Sequence, residues 1–307
     1  MDCTLATADL GLVVTTTGGS VWRFFARQDG REVPLFREPR SRQERSALEA
    51  GCFPLVPFGN RVRGNRFSFD GSAYTFAPNV PWDRHVLHGD GWRGKWQVLE
   101  HSPQELRLGY AHRAEGTPYS YTAEQVFTLD QRTLTLGMSV LNTGGSTLPF
   151  GFGWHPFFPL TPDTTLQART RSYWAEDASF LPTVEHPTGG DLDFTAGARL
   201  PRRWVNTQFE GWDGCAAIRW PDRALALHIE ADALFDRCVV FVSDPDFAPG
   251  FTYDHFCFEP MSHSVDAHNR ADGGGLRRLE PGARLAGTVR FTVADMSGSD
   301  AAQGAWH

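Results

Sequence analysis

Apolar and polar residues alternate with a period of two along several stretches of this chain. Leu106, Leu108 and Tyr110 alternate with polar neighbours, as do Leu134, Leu136, Met138 and Val140. The same pattern holds for Leu225, Leu227 and Ile229, and for Val289, Phe291 and Val293. Successive side chains of a strand point to opposite faces, so this period predicts half-buried antiparallel strands. Turn-forming clusters separate them: Asn142-Thr143-Gly144-Gly145-Ser146, Gly189-Gly190-Asp191 and Asp272-Gly273-Gly274-Gly275. The Asp- and Pro-rich stretch 244–250 also reads as loop. Helical periods are scarce, and 41–49 is the best short helix candidate. There is no internal repeat and no low-complexity linker. The pattern predicts an all-β fold, a large antiparallel β-sandwich, as a single domain over 1–307 with a frayed tail after about 296.

Composition narrows the function more than the fold. At 307 residues, 41% hydrophobic and 21% charged, the chain can bury a core without disulfide or metal staples. A net charge of −7 argues against nucleic acid as a partner. The opening Met1-Asp2-Cys3-Thr4-Leu5-Ala6 lacks a basic region, and no apolar run approaches bilayer length. The expectation is a cytoplasmic protein with no membrane partner. Five scattered cysteines (Cys3, Cys52, Cys215, Cys238, Cys257) without a Cys-x-x-Cys pair read as free thiols rather than a zinc site. The 23 Phe and ten Trp serve a core or an interface equally well, so the oligomeric state stays open.

Four separated segments carry the candidate chemistry. They are Pro57-Phe58-Gly59-Asn60-Arg61, Leu87-His88-Gly89-Asp90-Gly91-Trp92, Gly153-Trp154-His155-Pro156-Phe157-Phe158 and Phe256-Cys257-Phe258-Glu259-Pro260. Each sets a proton- or charge-handling side chain among aromatics, Gly and Pro. An Arg fork hydrogen-bonds paired hydroxyls, and an imidazole between aromatic walls titrates near neutrality. Glu259 ends an apolar run, where desolvation makes a carboxylate a better base than in water. Taken singly, each also has an ordinary structural reading: a solvated Arg61, a backbone-bonded His88, a core His155.

In this order, the four segments resemble the aldose 1-epimerase (galactose mutarotase-like) superfamily, in its bacterial branch, over roughly residues 8–294. Supporting pieces include Glu210-Gly211-Trp212-Asp213-Gly214 and Glu259-Pro260-Met261-Ser262-His263. The resemblance implies a galactose mutarotase-like supersandwich with its site on a concave face. It implies an isomerase that opens and recloses the ring of a free aldose, exchanging its α and β anomers without a cofactor or metal. By position, Glu259 matches the general base and His155 the general acid. His88, Arg61 and Asn60 match substrate-binding positions. One departure stands out: the family's sugar-binding Asp, three residues before Phe209, is Asn206 here. Asn keeps the hydrogen bonding and drops the charge. Asp213 is the neighbour that would replace it.

Other readings remain open at this level. Arg63 and Arg66 beside Arg61 would suit a phosphorylated or acidic sugar. A carbohydrate-binding or sensing protein would need the aromatics and Arg61 without turnover. A glycoside hydrolase would need a second carboxylate, with Asp266 and Asp213 the candidates. A metal held by His88, His155 and Glu259 lacks any local ligand spacing. For the epimerase, the sequence predicts a bell-shaped pH profile, its acidic limb from Glu259 and its upper limb from a histidine. Sugar preference is expected to come from the loops 172–188 and 245–255.

Overall fold

A computed structural model describes residues 1–39 and 45–296. Two large antiparallel sheets dominate it, one of eleven strands and one of nine among the described residues. The first runs in the order Asp2–Ala6, Leu10–Thr15, Ser20–Gln28, Cys52–Leu55, Gly153–Pro159, His255–Met261, Arg237–Val242, Val205–Glu210, Ser172–Glu176 and Pro182–Pro187, with Arg31–Pro34 beside Ser20–Gln28. The second is built on Glu105–His112, Tyr121–Asp130, Thr133–Asn142, Arg284–Asp295 and Leu225–Ala231, with further strands at its edges. Each of the four alternating stretches lies in one of these strands. Thr133–Asn142 alternates buried with half-exposed positions along its whole length.

The core lies between the sheets. Phe36 packs edge-on against both Phe158 and Phe291, with ring centroids 5.4 Å apart in each case. Edge-to-face packing sets the positive rim of one ring against the negative face of another, which adds to the gain from burial. Burying a side chain of this size contributes about 1.5–3 kcal/mol.

Of the helix expected over 41–49, only 45–49 lie within the described residues. Ala47–Glu49 makes a single 3₁₀ turn, with the Ser46 hydroxyl accepting from the Leu48 amide. One such turn has too few hydrogen bonds to offset helix nucleation. Residues 40–44 lie outside the described residues, as does the expected tail from 297 onward.

Candidate active site

Two central strands are buried on both faces. In Gly153–Pro159 and His255–Met261 every residue is buried. Trp154, Phe158, Phe256 and Phe258 join the core between the sheets. The alternate residues face the other way, into a second apolar cluster that includes Phe53, Leu55, Phe157, Val239, Cys257 and Met261. This second cluster is the floor of the candidate site.

Strand register places the candidate residues in rows. Phe53 sits opposite His155, Glu259 opposite Val239, and Val239 opposite Gln208. The next row holds Phe157, Cys257, Phe241 and Asn206, paired in that order. Opposite residues in an antiparallel sheet share a face. His155 and Glu259 therefore meet on the floor, with Nε2 of His155 3.2 Å from Oε1 of Glu259.

The pair is dry. Glu259 is 2% exposed and His155 9%. Phe53 stacks on the His155 ring at 4.5 Å, and Phe157 lies at 4.7 Å. Burial pushes the Glu259 carboxyl up to about 8, against a smaller opposing pull from Arg61. Burial also pulls the His155 imidazole down to about 3, helped by the Arg37 charge. Between those limits the pair holds one proton between its two groups, and burial favours it on the carboxyl. Two more of its polar atoms, His155 Nδ1 and Glu259 Oε2, are buried without a hydrogen-bond partner among the described residues. Burial orders the two groups opposite to the expected pH limbs, with the histidine low and the glutamate high.

His88 closes the site from the side, its ring 5.4 Å from that of His155. Its Nδ1 accepts the Asn60 amide at 2.9 Å. An accepting Nδ1 on a neutral ring leaves the proton on Nε2. Burial holds His88 well below its ordinary pKa, so the ring stays neutral and serves as a fixed donor. The chain reaches this geometry through positive φ at His88 and Gly89; a Cβ on Gly89 would lie 2.5 Å from the Val56 carbonyl oxygen.

Arg61 is positioned by Asp83, whose carboxylate accepts its Nε at 2.7 Å, and by the Phe180 ring 4.8 Å below its guanidinium. Asn60 turns its Oδ1 back to the Arg61 amide at 2.9 Å. Asn206 donates through Nδ2 to Glu176 at 2.6 Å, and the Trp204 indole donates to the other Glu176 oxygen at 2.6 Å. Glu176, Asn206 and Asn60 line one small cleft together with Gln208 and Val239.

The structure thus brings together all six residues singled out from the sequence: Glu259, His155, His88, Arg61, Asn60 and Asn206. Others do not join them. Asp213 caps its own turn by accepting from the Cys215 amide and borders a separate cleft with Arg169 and His228. Asp266 is taken up by the Arg63 backbone and side chain and by Asn269. Arg63 is in turn committed to Asp266 and Asp177. Sequence reasoning missed Asp83 and Glu176. The signal for Glu176 was its two-residue spacing from Trp174 inside the stretch 172–188, expected as a selectivity loop but formed largely by the paired strands Ser172–Glu176 and Pro182–Pro187.

His155, Cys257 and Glu259 bring ligand-type atoms within 4.8 Å of one another, a grouping in which Cys257 takes the place expected for His88. Burial holds the Cys257 thiol well above its ordinary pKa and raises Glu259 too. A cation there would have to displace both protons in an apolar setting, which weakens binding near neutral pH.

Comparison with known proteins places this architecture among the galactose mutarotase-like β-sandwiches. A solved Escherichia coli K12 protein, provisionally designated an aldose 1-epimerase, superposes with a TM-score of 0.91 at 43% identity, covering 96% of this chain and 99% of that one. A galactose mutarotase-like protein from Clostridium acetobutylicum shares the fold at a TM-score of 0.80 and 16% identity, with 95% of each chain covered. The uncharacterized Escherichia coli (strain K12) protein YphB is 45% identical over 291 residues, 94% of this chain and 98% of its own. The family model for aldose 1-epimerase matches residues 2–292. The chain belongs to the aldose 1-epimerase family and is an isomerase with a mutarotase-like function on sugars. Among the described residues, no helix is long and apolar enough to cross a membrane.

Proposed function

We propose that the protein interconverts the α and β anomers of a free, uncharged aldose, with Glu259 and His155 as its acid–base pair. The observation that carries this is the 3.2 Å approach of Glu259 Oε1 to His155 Nε2 on a dry floor. The anomeric hydroxyl and the ring oxygen hang on one carbon. An enzyme that deprotonates the first and protonates the second needs its base and acid converged on neighbouring atoms, correctly protonated together. In the free protein burial favours the single proton on Glu259; the reaction draws on the other tautomer, with the proton on His155 and Glu259 ionised. Glu259 takes the proton of the C1 hydroxyl, His155 gives its proton to the ring oxygen, and the C1–ring oxygen bond breaks. The open aldehyde turns about C1–C2. The ring then closes with the two proton transfers reversed, and the pair regains its starting state. His88, through Nε2–H, and Arg61 hold the ring oxygen and neighbouring hydroxyls.

Two observations weigh against the rival readings. Arg63 is matched by two carboxylates, which takes up one of the two cations a phosphorylated sugar would use, and the other, Arg66, is exposed. Asp213 and Asp266, the proposed second carboxylates of a hydrolase, are each occupied elsewhere. A non-catalytic sugar-binding role would leave a buried acid–base pair without a task. The deciding experiment is NMR saturation transfer between α and β anomeric protons for a panel of aldoses, with Glu259→Gln as the control. Acceleration by the parent and not by the variant supports the proposal. Sugar binding without acceleration would make the protein a binder.

A further inference from the structure

We infer that Glu176 is a specificity-determining residue of the site: beside Asn206, which stands at the family's sugar-binding position, it makes an edge of hydrogen-bond acceptors that reads the hydroxyls remote from C1 and disfavours sugars carrying an anionic group there. This rests on the proposed anomer exchange and concerns the other end of the same ligand. The strand of Glu259 is separated from the strand of Asn206 by one strand, Arg237–Val242. Two strand spacings make roughly 10 Å. A pyranose whose C1 lies over Glu259 and His155 spans that distance when it hydrogen-bonds at both ends.

The hydrogen bonds fix what this edge offers. A carboxylate only accepts, so the Asn206 group at 2.6 Å from Glu176 is the amide nitrogen. That leaves Asn206 Oδ1 as the atom able to accept from a ligand. Each Glu176 oxygen takes one bond, from Trp204 or from Asn206, and keeps further lone pairs. Gln208, on the same cleft, is buried and held at both ends: its Nε2 donates to Glu210 and its Oε1 accepts the Val265 amide. The accepting capacity therefore lies with Glu176 and Asn206, and it suits the O–H donors of a polyol.

Charge sets the selectivity. Glu176 is half-buried and forms no ion pair among the described residues, whereas the neighbouring cations do: Arg61 with Asp83, and Arg63 with Asp266 and Asp177. Burial raises the Glu176 pKa, and the bonds from Trp204 and Asn206 oppose that rise. A phosphate or carboxylate on the sugar would face this carboxylate, while Arg61 and Arg63 are already held by carboxylates of their own. A hydroxyl pair would supply the donors that such a carboxylate lacks.

The test is Glu176→Gln in the full chain, with Asn206→Ala as a second variant. NMR anomer exchange would be run on glucose, galactose, their deoxy analogues and glucose 6-phosphate. The expected result is a KM for the best neutral sugar about ten- to a hundredfold higher, the worth of a hydrogen bond to a charged group, with kcat within about twofold. The deoxy analogue lacking the hydroxyl that Glu176 reads should be insensitive to the substitution. The KM gap between glucose and its 6-phosphate should narrow about tenfold. An unchanged KM across the panel, or equal losses for every analogue, would overturn the inference while leaving the exchange reaction intact. If the parent accelerates no exchange, the proposed reaction fails. Sugar titration by NMR then decides here: a Kd that rises in Glu176→Gln sustains the inference, and an unchanged Kd or no binding overturns it.

Discussion

Asn60 and His88 hold each other through two hydrogen bonds. The Asn60 amide donates to His88 Nδ1, and the His88 amide donates to the Asn60 carbonyl, each at 2.9 Å. Both residues have positive φ, so the loop conformation and the ring tautomer are set by one arrangement. His88→Phe would keep an aromatic ring but leave the Asn60 amide buried and unpaired. The expected cost is about 1–3 kcal/mol of stability. Urea unfolding would measure it, and anomer exchange should fall with the loss of the Nε2–H donor. A variant as stable as the parent would mean that another acceptor serves Asn60.

Glu259→Gln keeps the shape of the side chain and removes the base. Exchange should fall by roughly 10²- to 10⁴-fold, the usual worth of a positioned acid or base. Sugar affinity measured by NMR titration should change only a few fold. Exchange close to that of the parent would remove Glu259 from the mechanism.

The pH profile follows from the proton count of the pair. With Glu259 raised to about 8, the shared proton is retained up to that pH and lost above it, so kcat/KM should fall on the alkaline side near 8. With His155 lowered to about 3, the pair takes up a second proton only in strong acid, so activity should persist well below pH 6 wherever the fold survives. A midpoint near 4.5 on the acid side, moved by Glu259 substitutions, would restore the unperturbed assignment.

Fold stability should depend on pH through the buried histidines. Burial lowers His88, His155, His263 and His268 from the ordinary 6.5. The unfolded chain then takes up protons first as the pH falls. Stability is full above 6.5 and is lost below it, by up to about 1.4 kcal/mol per pH unit for each such histidine. Glu259 acts with the opposite sign between 4.5 and about 8 and offsets one of them. Calorimetry should therefore show a steep drop in Tm between pH 6.5 and 5. A Tm flat over that range would contradict the burial of these rings.

Arg61→Ala would strand Asp83, whose side chain is only 7% exposed. Removing one partner of a buried ion pair costs about 3–5 kcal/mol, because the other charge stays behind. The double variant Arg61→Ala with Asp83→Asn should recover most of that stability. It should not recover sugar affinity or rate, which need the guanidinium itself. Chemical denaturation and exchange kinetics on both variants separate the two roles.

What the sequence revealed depended on whether a strand has a wet face. Thr133–Asn142 faces the core on one side only, and its alternation was plain. Gly153–Pro159 and His255–Met261 are buried on both faces and show no period at all. They were legible as short apolar and aromatic runs around His155 and Glu259, and then as a resemblance. Asp83 and Glu176 stayed hidden because their partners are distant in sequence: 22 residues separate Asp83 from Arg61, and 30 separate Glu176 from Asn206. Only strand register and loop geometry bring such pairs together.

The backs of the two catalytic strands are the hydrophobic core itself, so Phe258 and Glu259 are neighbours with different duties. A substitution that resizes Phe258 or Trp154 shifts the acid and base together with the core packing. The Ser172–Glu176 and Pro182–Pro187 strands end the sheet, far from that constraint. The fold therefore divides what can change from what cannot. On the proposed reaction, ring opening is locked into the middle of the sheet, while the choice of sugar is written at its margin, where descendants of this chain can revise it without refolding the rest.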